Sequence, residues 1–138
     1  NRNVNSLFFR CIFLVYLFFL LDITFFPISV NSSYTSLEEG FRFGINWIPF
    51  NWDFSFLPHI VFWQIIQNIL LTVPFGFGIC FVLQLKPQFL LWIVPAVGIS
   101  IELVQFLISL TIGYTYRIID INDVILNALG VLIGYSLF

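Results

Sequence analysis

Runs of about twenty residues pass along this chain with almost no charge to interrupt them, and that pattern decides what it can fold into. A helix crosses a hydrocarbon core of roughly 30 Å with about 20 residues at 1.5 Å rise each. Four stretches meet that length. The first, at about 7–27, is broken only by Arg10 near one end and Asp22 near the other. The second, at about 60–85, is bounded by Pro58 and Lys86-Pro87, and the third, at about 88–112, contains Glu102. The fourth, at about 118–138, confines Asp120 and Asp123 to its first turns. Composition agrees, with 60% hydrophobic and 9% charged residues in 138, where a soluble domain carries roughly 25% charged. The expected fold is all-α: a polytopic membrane protein of one domain over 1–138, with four transmembrane helices in a small bundle and an outward segment at 28–59.

Several function classes fall away at once. A net charge of −2 from so few groups, with no basic patch, excludes nucleic-acid binding. Cys11 and Cys80 each sit in an apolar run and read as small apolar fillers, and no C-x-x-C exists to hold zinc. No cofactor and no metal is expected. Arg2 and Arg10 give the first span a basic start, but no small-x-small cleavage site follows, so a retained helix is expected rather than a signal peptide. Met is absent even at position 1, which reads as a chain trimmed at its start.

Lys and Arg in short loops set the expected orientation. Arg2, Arg10 and Lys86 fall on one side, Arg42 and Arg117 on the other, which places both termini and the Lys86-Pro87 turn in the cytoplasm. Trp47 and Trp52 of the outward segment suit the membrane interface, as does His59 at the entrance of the second span. Asn31-Ser32-Ser33 has the form of a glycosylation sequon and carries little weight, and Glu38-Glu39 reads as a solvated loop face.

Helical spacing gathers the few polar residues into stripes. Asp120, Asp123, Asn127, Gly130 and Gly134 are separated by 3, 4, 3 and 4 and share one face of the last span. Gly98, Glu102, Gln105 and Ser109 do the same in the third, and Gln64, Asn68, Thr72 and Gly76 in the second. These stripes should face one another. Counted at 1.5 Å per residue from the outward ends, Asn68 lies about 12 Å deep, Asn127 about 14 Å and Glu102 about 15 Å. Gln64, Gln105 and Asp123 form a shallower tier at about 6–11 Å, with Arg117 and Asp120 closing the top.

Structural roles account for part of this. Asp120 suits an N-cap with Asp123 at N3 in a capping-box-like arrangement, and both carboxylates favour the positive end of the helix dipole. Gly130-x-x-x-Gly134 suits close helix approach, and Pro74 and Pro95 suit kinks. Glu102 is harder to absorb, because a carboxylate well inside a span costs on the order of 2–3.5 kcal/mol on translocon-type scales. Asn68, Asn127 and Gln105 are its expected partners, with Arg117 reaching down along its own stem. A polar clamp and a ligand site both remain open.

The motifs in order are Asn68-x(5)-Pro74-Phe75-Gly76, Glu102-Leu103-Val104-Gln105, and Arg117-x-x-Asp120-Ile121-Asn122-Asp123-x-x-x-Asn127-x-x-Gly130-x-x-x-Gly134. With the upstream Asn46-Trp47-Ile48-Pro49-Phe50, this series resembles the VanZ-like membrane protein family over about 45–134. The founding member is associated with teicoplanin resistance in bacteria. The resemblance therefore implies a bacterial plasma-membrane protein of the cell envelope. Gly113-Tyr114-Thr115-Tyr116 lengthens the turn before Arg117, and Asp22 is not a family signature.

Two kinds of function follow from the resemblance and the stripes together. A binding protein would take a membrane lipid, a lipid-linked wall precursor or a lipidated glycopeptide in an outward-facing polar pocket. Arg117 would meet a phosphate or carboxylate, Asp120 and Asp123 would order the entrance, and Asn68, Glu102 and Asn127, with Gln105 nearby, would form the floor. An intramembrane enzyme would use Glu102 as acid or base on a lipid headgroup, with Arg117 stabilising developing charge. Four spans without an internal repeat argue against a complete transporter. No nucleophile–base pair is visible, which favours binding.

Overall fold

The computed structural model describes residues 2–28, 45–52, 58–84 and 86–138. The sequon at Asn31, the Glu38-Glu39 pair and Arg42 lie outside the described residues. Four helices stand out among those described: α1 (Arg2–Phe25), α2 (Pro58–Leu83), α3 (Pro87–Ile112) and α4 (Ile121–Ser136). Two short strands, β1 (Ile45–Asn46) and β2 (Ile119–Asp120), pair in parallel, with Ile45 opposite Ile119 and Asn46 opposite Asp120. Both α2 and α3 run unbroken through Pro74 and Pro95.

The interior and exterior are inverted relative to a soluble protein. Among the described residues, six hydrophobic side chains are buried against seven polar ones, including Thr72, Glu102, Ser109 and Asn127. Outside, Phe18, Leu91 and Trp92 are 68%, 78% and 77% exposed. An apolar coat over a polar core suits lipid, which solvates the former and cannot solvate the latter. Helices α1, α2 and α3 are long and apolar enough to cross a membrane.

The fourth expected span corresponds to a shorter apolar helix. The helix occupies only Ile121–Ser136, about 24 Å at 1.5 Å per residue, short of the roughly 30 Å core. Residues 118–120, expected as its first turn, are taken by the approach to β2 and by the strand itself. Asp120 has β-region φ and ψ of −127° and 122°, and its side chain accepts from the Asn122 amide at 2.8 Å, an N-cap that starts the helix there.

Register contacts show how the helices run. Asn68 meets Asp123, Thr72 meets Asn127, and Gly76 abuts Val131, so α2 and α4 are parallel at a constant offset. Glu102 meets Asp120 and Gly98 abuts Val124, so α3 and α4 are antiparallel. Phe9 stacks near Phe77 and Phe81 while Tyr16 reaches Leu71, so α1 is antiparallel to α2. Phe138 touches Phe77, which puts the C-terminus at the same end of the bundle as the start of α1 and the α2–α3 turn.

Glycines permit the parallel α2–α4 contact. A Cβ on Gly130 would strike the Ile69 carbonyl and the Thr72 hydroxyl, one on Gly134 the Val73 carbonyl, and one on Gly76 the Val131 carbonyl. Backbone lies on backbone, as small-residue spacing allows. Gly134→Val is therefore expected to destabilise the bundle by at least about 1–3 kcal/mol, because the rigid Val73 and Phe77 backbone has no room to yield. Lipid-facing Leu132→Ala should change little. Unfolding titrations of both variants in mixed micelles check the contrast.

Candidate functional site

The short α4 creates the site. Glu102 Oε2 accepts the Asp120 amide at 3.2 Å, so α4 begins level with Glu102. Glu102 lies ten residues before the end of α3 at Ile112, which is about 15 Å below that end. The chain from Gly113 to Asp120 descends this distance beside α3, and β1 accompanies it through its pairing with β2. The space above α4, flanked by the upper parts of α1, α2 and α3, contains a cavity of about 830 Å³.

All seven residues singled out from the sequence line this one cavity: Asn68, Glu102, Gln105, Arg117, Asp120, Asp123 and Asn127. The two-tier arrangement does not hold. Asn68 Nδ2 donates to Asp123 Oδ1 at 2.5 Å, joining the expected tiers, and Asp120 lies beside Glu102 instead of closing the top. The depth count assumed that α4 starts level with the end of α3, whereas it starts level with Glu102, ten residues before that end. Asp123, at N3, therefore turns to α2 and does not complete a capping box with Asp120.

Expected partners also change. Glu102 takes a backbone amide in place of Asn68, Asn127 or Gln105. Gln105 Nε2 donates instead to the Thr24 carbonyl at 3.1 Å, drawing in the end of α1. Arg117 Nη2 donates to the Ile23 and Phe26 carbonyls at 3.2 and 3.4 Å. These carbonyls belong to the end of α1, where backbone acceptors lack helical partners and a cation opposes the dipole favourably. Asn127, 2% exposed, lines the cavity with its Oδ1 unpaired, while its carbonyl accepts from Thr72.

Sequence reasoning missed two contributors. The first is α1, whose Tyr16, Leu20 and Thr24 line the cavity at four-residue spacing. Tyr16 and Thr24, polar and eight apart in an apolar span, carried that signal. The second is the pair of asparagines that holds the descending segments together. Asn46 Nδ2 donates to Asp120 Oδ1 at 2.9 Å, and Asn122 Oδ1 accepts the Phe50 amide at 2.6 Å. Phe50 has φ of 61°, and Asn122 is 1% exposed, so this bond fixes an unusual backbone against the start of α4. Trp47 is 72% exposed, in keeping with an interface, but Trp52 lines the cavity. His59 is exposed at the start of α2, and neither Cys11, Cys80 nor His59 lines the cavity.

The family model for VanZ/LLP1 matches residues 13–138. The chain belongs to the VanZ/LLP1 family. No curated protein and no solved structure matches it. The VanZ/LLP1 match reaches further upstream than the motifs from Asn46 onward and takes in the half of α1 that carries Tyr16 and Thr24. The wall of the cavity formed by α1 thus belongs to the family domain.

Asn122→Ala would leave the Phe50 amide without its side-chain acceptor, at a cost of about 1 kcal/mol for a part-buried hydrogen bond. The expected result is faster hydrogen exchange across residues 45–52 with the α2–α4 contact unchanged, measured by exchange mass spectrometry in micelles.

Proposed function

We propose that this VanZ/LLP1 protein is a four-span protein of the bacterial plasma membrane that binds the headgroup of an amphiphile in its polar cavity. The observation that carries the reading is the cavity's mixed lining. Asn68, Glu102, Asp123 and Asn127 face it from the bundle interior, while Phe19, Ile23 and Leu70 line it and are 55%, 60% and 61% exposed. A polar floor with an apolar, lipid-facing side fits a molecule with a polar head and a hydrocarbon tail. Helix α4, the descending segment and β1 together complete the fourth crossing. Arg117 supplies the anion contact, since its two carbonyl bonds use one nitrogen and the rest of the guanidinium fork stays available for phosphate or carboxylate.

A lipid-linked wall precursor or a lipidated glycopeptide fits these terms, and glycopeptide resistance is the expected phenotype. Binding is preferred over headgroup chemistry because Cys11, Cys80 and His59 all lie outside the cavity lining. If expression in a susceptible host leaves teicoplanin sensitivity unchanged, the resistance role is lost while the binding reading stands. Where protection is seen, Arg117→Lys should remove most of it at unchanged abundance. The ammonium is a point donor that cannot cap α1 and grip a phosphate in bidentate fashion together. Full protection by the lysine variant would reduce Arg117 to a helix cap.

The cytoplasmic end is assigned to the termini and the α2–α3 turn, from the placement of Arg10 and Lys86. A single cysteine at position 86, in a background with Cys11 and Cys80 replaced, should resist an impermeant thiol reagent added to intact cells. Labelling there without lysis would invert the topology and turn the cavity toward the cytoplasm.

A further inference from the structure

Carboxylates outnumber cations in the cavity lining. Glu102, Asp120 and Asp123 bring three carboxylates to it, and Arg117 brings one guanidinium. Each carboxylate offers about four lone-pair sites. Glu102 accepts the Asp120 amide, and Asp123 accepts Asn68. Asp120 is the most occupied, holding Asn46 and the Asn122 amide on one oxygen. Gln105 Nε2 is directed to Thr24, and Arg117 Nη2 to Ile23 and Phe26, which leaves the rest of the guanidinium fork for an anion.

Independent of the carboxylates, Asn127 points to a missing donor. It is 2% exposed, lines the cavity, and keeps a buried Oδ1 without a partner. Thr24, 3% exposed and also in the lining, has its Oγ1 unpaired.

From this balance we infer that the headgroup carries a primary ammonium beside its anionic group, the ammonium seated among Glu102, Asp123 and Asn127 and the anion at Arg117. The inference rests on the amphiphile-binding reading and narrows its ligand to a phosphate–ammonium headgroup. A primary ammonium supplies three N–H donors and one positive charge, matching the unpaired Asn127 oxygen and the two carboxylates that keep open lone pairs. A headgroup of hydroxyls alone supplies donors without charge, and a trimethylammonium supplies charge without donors.

The full chain reconstituted in vesicles of equimolar phosphatidylethanolamine, phosphatidylcholine and phosphatidylglycerol, then extracted gently, reports the preference through its retained lipid. Phosphatidylethanolamine should be enriched about tenfold over each of the others, the scale of one charge-assisted contact. Glu102→Gln and Asp123→Asn, separately and together, should remove that enrichment while lipid is still retained through Arg117. The wild-type ratio stands as a test even if a variant fails to fold. Equal retention of all three lipids, sensitive to Arg117→Lys, would overturn the ammonium and leave the amphiphile reading intact. Retention at bulk composition with no sensitivity to any of these residues would overturn both. Enrichment of phosphatidylcholine alongside phosphatidylethanolamine would show that charge without N–H donors suffices, and would also overturn the primary ammonium.

Discussion

One hydrogen bond organises the molecule: the Asp120 amide on the carboxylate of Glu102. It ties the start of α4 to a point well down α3, and everything above α4 follows from that depth. Backbone that is not helical cannot face hydrocarbon, because lipid offers no partner to an amide or carbonyl. The descending chain must therefore find partners inside the bundle. It finds them in strand pairing with β1, in the Asp120 cap, and in the side chains of Asn46 and Asn122. A carboxyl group is a sensible anchor here, since its oxygen accepts an amide at the helix start that has no helical partner.

Depth also explains the parallel pairing of α2 and α4. With α3 running back between them, these two helices point the same way and cannot be joined by a short turn. They are held instead by approach of their backbones. The offset that places Asn68 on Asp123 also places Thr72 on the Asn127 carbonyl and Gly76 on Val131. Polar contacts fix register toward the cavity and glycines permit closeness toward the other end. Two kinds of interaction thus divide one interface by depth, and the division matches where a ligand would need polar groups.

The sequence was most legible where periodicity carries the information. Three apolar spans came out within a few residues of α1, α2 and α3, and the stripes of α2, α3 and α4 do meet. Gathering Asn68, Glu102, Gln105, Asp120, Asp123 and Asn127 around one cavity follows directly from those stripes, and Arg117 joins them through its place three residues before Asp120. Partner assignments were less legible, because they depend on where a helix begins relative to the membrane. Residues 118–138 are apolar enough to pass for a full span, yet Asp120 caps the helix and its amide is claimed by a side chain eighteen positions earlier. That contact has no local signature. Nor did Asn46 announce its role, since an asparagine two residues before a Pro-containing turn reads as turn chemistry until its strand partner is known.

The attachment of α1 shows how the same few polar groups serve both architecture and site. At the end away from the cavity, α1 leans on α2 through rings, with Phe9 against Phe77 and Phe81, and Phe13 filling the space left by Gly78. At the cavity end the contacts are polar and run from side chain to backbone. Tyr16 donates to the Leu71 carbonyl at 2.6 Å, while Gln105 and Arg117 donate to carbonyls near the end of α1 itself. Lipid gives helices little hydrophobic reason to associate, so packing and such bonds must supply the attachment. A wall held this way keeps a gap that apolar packing would have closed. Arg117 fits the position because its guanidinium carries five donors, and the two bonds to α1 both leave from one nitrogen. The cation that holds the wall in place is thereby still able to meet what enters behind it.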